Sequence, residues 1–142
     1  MASRFELTVT GDIARLRMVW PEGRNAVDPL WVTELVAAVD ALEAGPVVRA
    51  LLISGDGPSF SVGGDMRHFS ARTDRLAAEL DGMIGGYHPA LLRLAALPYP
   101  VVCAVNGGAG GGALGLVWCA DVAIAAEDAR FATGFAALGL SG

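Results

Sequence analysis

Two glycine clusters are the places in this sequence where the backbone itself is positioned to do chemistry: Phe60-Ser61-Val62-Gly63-Gly64-Asp65-Met66 and Asn106-Gly107-Gly108-Ala109-Gly110-Gly111-Gly112. Glycine permits positive φ and lets a ligand come close to the main chain. Each cluster follows a short apolar run and precedes a helix-like one. Its amides therefore lack internal partners and stand at the positive end of a helix dipole. Two such turns converging from neighbouring strands would aim two N–H donors at one oxygen, forming an oxyanion hole. Taken singly, either cluster reads equally well as a tight turn.

Side chains offer less. His68 and His88 are bases by type. His88 precedes Pro89 on a helical stretch and reads as a surface or packing residue, whereas His68, three residues past Asp65, is placed to line a cleft. Asp65 reads as a helix cap. Asp121 at a strand start and Glu127-Asp128 in a turn read as structural or solvated. Cys103 and Cys119 are sixteen residues apart, a spacing that matches no zinc or redox motif and suggests buried free thiols. Strand, glycine-rich turn and helix also make nucleotide sites. A phosphate loop needs Gly-Lys-Ser/Thr, however, and all ten basic residues here are arginine; a dinucleotide fingerprint would open the unit rather than come late.

The elements that must position these residues follow from composition and pattern. The chain has 142 residues, 54% of them hydrophobic and 18% charged, enough for one packed domain. A net charge of −5 argues against a nucleic-acid partner. The first twenty residues carry charges at Arg4, Glu6, Asp12, Arg15 and Arg17, and the longest apolar run, Leu97 to Ala120, is interrupted by glycines. The expectation is a soluble cytoplasmic protein with no membrane partner.

Phe5 to Val9 and Ile13 to Trp20 form a hairpin around Thr10-Gly11-Asp12. Asp28-Pro29 starts a helix that ends at Gly45-Pro46. Val47 to Ile53, Pro100 to Val105, Asp121 to Ala125 and Ala129 to Ala132 are strand-like. FSVGGDMRHF reads as a loop, Thr73 to Leu97 as a helix broken or kinked at Pro89, Asn106 to Gly112 as a turn, and Ala113 to Cys119 as a helix. Alternating strands and helices predict an α/β protein with a parallel sheet.

FSVGGDM resembles the F-x-x-G-x-D-hydrophobic loop of the crotonase (enoyl-CoA hydratase/isomerase) superfamily. AVNGGAGGGALGLVWCADVAIAAEDARFA resembles its V-N-G-x-A-x-G-G-G-x-x-L-x-x-x-x-D segment with the A-x-F stretch that follows. Pro21 to Val27 is similar to its early N-A-hydrophobic loop, and Leu97-Pro98-Tyr99-Pro100-Val101 to its pre-strand proline pair. The resemblance implies a spiral of ββα units over residues 1–142, an incomplete acyl-CoA-binding core truncated before a C-terminal helical region. It implies an acyl-CoA thioester as ligand, with coenzyme A as part of the substrate, no separate cofactor, no metal and a homo-oligomer, trimer or hexamer, for a longer parent. The Gly64 and Gly112 amides map to the oxyanion hole. Arg24, Ala26, Gly63, Asp65, Met66 and Gly111 map to substrate-binding positions.

Two departures stand out. Hydratases of the family carry two glutamates, and here Gly115 and Phe135 occupy those positions. Two functions therefore stay open: enolate chemistry on an enoyl thioester, or acyl-CoA binding and subunit interaction without catalysis. The chain is also about half the usual family length, leaving Phe131, Phe135 and Leu138 as apolar residues in search of partners.

Overall fold

The computed structural model describes residues 2–45, 47–136 and 139. Strands β1 (Phe5–Thr10) and β2 (Ile13–Met18) pair antiparallel, turning at Gly11 with φ +58°. Helix α1 (Pro29–Ala44) starts where the sequence says: the Asp28 carboxylate accepts from the Trp31 N–H at 2.8 Å, with Pro29 at the first helical position. Trp31, Leu35, Val39 and Leu42, spaced three or four apart, are its buried stripe. There follow β3 (Ala50–Gly55), β4 (Ser59–Ser61), α2 (Met66–Ser70), α3 (Leu76–Ala95), β5 (Val101–Val105) and β6 (Gly108–Gly110). A 3₁₀ turn (Gly111–Ala113), α4 (Leu114–Trp118), β7 (Val122–Ala125) and β8 (Phe131–Ala132) complete the described chain.

The α/β class holds, with a correction to the sheet. One five-stranded sheet runs β1-β2-β3-β5-β7, parallel except for β1, which the tight hairpin forces to run antiparallel. A second, parallel sheet of three short strands joins β8, in the stretch expected to be strand-like, to β4 and β6, which fall in segments expected to be loop and turn. Glycine has no strand preference of its own, so its pairing there is set by its neighbours.

Pro89 does not break the helix, since α3 runs through it. The residue four before it, whose carbonyl the proline ring crowds, is Gly85. Packing of α3 on α1 supplies the stability that the lost hydrogen bond does not. Trp31, fully buried, joins the layers: its ring lies 4.9 Å from that of Phe5 on β1 and 5.4 Å from that of Tyr87 on α3.

At the other end of the sheet, β7 is an exposed edge. Trp118, Ile124 and Phe131 are 68%, 63% and 52% accessible, so Phe131 is uncovered as expected. Leu138 and Pro46 lie outside the described residues. Among the described residues no helix is long and apolar enough to cross a membrane.

Candidate functional site

The small sheet brings the two glycine clusters together. Ser59 pairs with Gly108 and Ser61 with Ala109, after which both strands run into their glycine turns side by side. Gly63 has φ +83°, and a Cβ on it would lie 2.6 Å from the Gly110 carbonyl oxygen, so only glycine fits. Gly111, with φ +50°, faces the Gly63 Cα across the junction.

The early loop forms the other wall. Arg24 and Asn25 both adopt the left-handed conformation, at φ 55° and 53°. Four hydrogen bonds run from this loop to the first glycine cluster: Val62 N–H to Arg24 O (3.2 Å), Ser61 Oγ to Asn25 O (2.7 Å), Val27 N–H to Gly63 O (2.8 Å) and Asp65 N–H to Val27 O (2.9 Å). The last two make Val27 and Gly64 a parallel bridge. In such a bridge Gly64 turns its own N–H and C=O away from Val27, and this N–H has no acceptor among the described residues. Asp65 caps α2 as expected, its carboxylate accepting from the Arg67 and His68 amides.

An open cleft of about 310 Å³ lies against this wall. Arg24, Ala26, Gly64, Asp65 and Met66, five of the residues mapped from sequence, line it. So do Val62, Glu22 and Arg67; the last, an exposed guanidinium 3.7 Å from Asp65, was not singled out from sequence. Gly63, Gly111 and Gly112, also mapped from sequence, are not among the residues that line the cleft; Gly63 and Gly111 touch where the two turns meet. Gly112 is the second residue of its 3₁₀ turn, where an amide has no intrahelical acceptor. The Gly112 carbonyl accepts the Tyr87 hydroxyl at 2.7 Å. Burial foremost, and the nearby Cys119, push the Tyr87 phenol above its ordinary range, so it stays protonated as a donor.

Both histidines lie away from the cleft. His68 is held between Glu79 on α3 and Arg72, and His88 is exposed. Asp121 is structural, accepting the Val101 amide at 2.8 Å. No cluster of metal-ligating side chains occurs among the described residues. Gly115, at the first expected carboxylate position, is walled off: a Cβ there would meet Leu91 Cδ1 at 2.6 Å and the Tyr87 hydroxyl at 2.8 Å. Tyr87 carried no signal in sequence, because an aromatic on a helix reads as core.

Parallel strands alternating with helices, with a glycine turn beside an open cleft, make a crotonase-type fold. The chain belongs to the enoyl-CoA hydratase/isomerase family, whose family model matches residues 8–142. It is 35% identical over 121 residues to the 1,2-epoxyphenylacetyl-CoA isomerase of Escherichia coli (strain K12), covering 84% of this chain and 46% of that protein. An enoyl-CoA hydratase structure from Shewanella pealeana ATCC 700345 superposes with a TM-score of 0.89 at 27% identity, over 96% of this chain and 52% of that one. A Thermobifida fusca YX structure in complex with acetoacetyl-CoA gives 0.83 at 32% identity, over 98% and 57%. The chain thus spans about half the length of the relatives it matches.

Proposed function

We propose that this chain binds an acyl-CoA thioester and stabilises its enolate through the backbone amides of Gly64 and Gly112. The observation that carries this reading is the contact of Gly63 with Gly110 and Gly111, which joins two turns whose next amides are uncommitted. An enolate forming at a thioester oxygen calls for neutral, preorganised donors, each worth on the order of 3 kcal/mol of barrier. Arg24 and Arg67 at the cleft rim suit the phosphates of coenzyme A, which enters as part of the substrate, with no further cofactor. Gly63, Asp65 and Gly111 shape the turns, while Ala26 and Met66 line the path of the pantetheine and acyl groups. Hydration or isomerisation of an enoyl thioester is the reaction class, in a cytoplasmic homo-oligomer.

The test is optical. Bound cinnamoyl-CoA, a chromophoric enoyl thioester, should shift to the red when its carbonyl is polarised. Gly64→Pro and Gly112→Pro remove the donors themselves and should abolish most of the shift. A Gly112→Pro chain with unchanged circular dichroism that polarises the thioester fully would refute the assignment.

A second reading, binding without catalysis, is favoured by the crowding at Gly115 and by Phe135 standing at the other carboxylate position. Binding and a red shift with no turnover of any enoyl-CoA would select it.

A further inference from the structure

The Tyr87 side chain, carried on α3, reaches into the start of the helix that follows the second glycine cluster. Its ring packs edge-on against Trp31 in the core, and its hydroxyl donates to Gly112 O at 2.7 Å. The Leu116 amide faces the same hydroxyl. Gly112 and Leu116 are four residues apart, and in a continuous α-helix their carbonyl and amide would bond to each other. Here the helix passes from the 3₁₀ turn Gly111–Ala113 into α4, and the phenol stands between the two groups. A side chain inserted into the ladder changes local helix geometry. Gly115 is what admits it, since a Cβ at 115 would lie 2.8 Å from the hydroxyl.

We infer that Tyr87 is the positioning residue for the Gly112 amide. By occupying Gly112 O it keeps the Gly111–Ala113 turn in its 3₁₀ form, and this sets the direction of the Gly112 N–H. The role rests on the oxyanion reading above. It also makes Tyr87 and Gly115 one device, because any side chain at 115 displaces the hydroxyl. The glycine at 115 is therefore a steric requirement of this chain, and a carboxylate there and the Tyr87 hydroxyl exclude each other.

Two variants separate this role from plain packing. Tyr87→Phe keeps the ring against Trp31 and removes the oxygen; Gly115→Ala keeps the phenol and crowds it out. The probe is cinnamoyl-CoA, read for affinity by titration and for polarisation by its difference spectrum. Both variants should bind within about threefold of the parent yet lose roughly half or more of the red shift. Tyr99→Phe, which alters the other tyrosine, should keep the shift. A folded Tyr87→Phe chain with the full shift overturns the inference, as does an equal loss in Tyr99→Phe. If Tyr87→Phe fails to fold, Gly115→Ala decides on the same criterion. A parent chain that binds without any red shift refutes the oxyanion reading and this inference with it, a result distinct from a parent shift that the variants retain.

Discussion

Asn25 is fully buried, and its side chain ties the early loop to the strand that leads into the first glycine turn. Its Nδ2 lies 3.0 Å from the carbonyl oxygens of Asp56, Ser59 and Phe60, and its Oδ1 accepts the Trp20 N–H at 3.0 Å. Asn25→Ala leaves at least three groups without partners: the Ser59 and Phe60 carbonyls and the Trp20 amide. At about 1–1.5 kcal/mol for each, the lower part of the range for an orphaned buried group, the loss is roughly 3–5 kcal/mol. Alanine in the left-handed conformation that Asn25 holds adds about 1 kcal/mol. The sum is comparable to the roughly 5–15 kcal/mol of total stability expected of such a domain. Asn25→Gly suffers the same loss of partners without the conformational cost, so it should be about 1 kcal/mol more stable than Asn25→Ala. Urea unfolding followed by tryptophan fluorescence measures both, with an unchanged m-value showing that the unfolded state is the same. An Asn25→Ala chain destabilised by less than about 1 kcal/mol would mean the side chain is not the tie described here.

Glu34 takes three hydrogen bonds on one carboxylate oxygen, from the Ser3 hydroxyl and the Arg4 and Phe5 amides. Burial alone would raise its pKa, but these bonds and the Arg4 charge bring the carboxyl below its ordinary 4.5. The stabilisation is complete at neutral pH and is lost as pH falls through that lowered value; Glu34→Gln should therefore flatten the acid limb of the stability curve, and an unchanged limb refutes this. Burial pushes the Cys103 thiol up to about 12 and that of Cys119 to about 11. Neither should react appreciably with iodoacetamide at pH 8 until urea is added, and rapid native labelling of Cys103 by mass spectrometry would contradict its buried placement. Gly115→Glu should destabilise the fold without installing crotonyl-CoA hydration, since the new side chain meets Leu91 and Tyr87; a stable variant with hydratase turnover would show that the space is free.

What sequence makes legible here is local. The hairpin at Gly11 and the caps at Asp28 and Asp65 are each decided within a few residues, and each forms as read. The second sheet is decided by partners distant in sequence. Ser59 meets Gly108 and Ala109 meets Phe131, pairings that no propensity of Gly108-Ala109-Gly110 announces. The site divides the same way. Arg24, Ala26, Gly64, Asp65 and Met66 sit in two contiguous motifs and line one cleft. Arg67 reaches the cleft, and Tyr87 the Gly112 carbonyl, from helices whose pattern encodes packing and solvation alone, and Gly115 can be understood only beside Tyr87.

Helix α3 contains Gly82, Gly85, Gly86 and Pro89 within twenty residues. Relative to alanine these cost about 1 kcal/mol for each glycine and about 3 for the proline. As a free segment α3 has little tendency to form, and it exists because α1 offers a surface for Met83, Tyr87, Ala90 and Leu94. The kinetic expectation is that α3 consolidates late, after the β1–β2 hairpin and α1 have assembled, and φ-values near zero for its substitutions would bear this out. Tyr87 is carried on α3, so on this expectation its hydroxyl reaches the Gly112 carbonyl only at that stage. The Gly111–Ala113 turn should then be among the last features of the chain to take its final shape, and among the first to open in native-state hydrogen exchange.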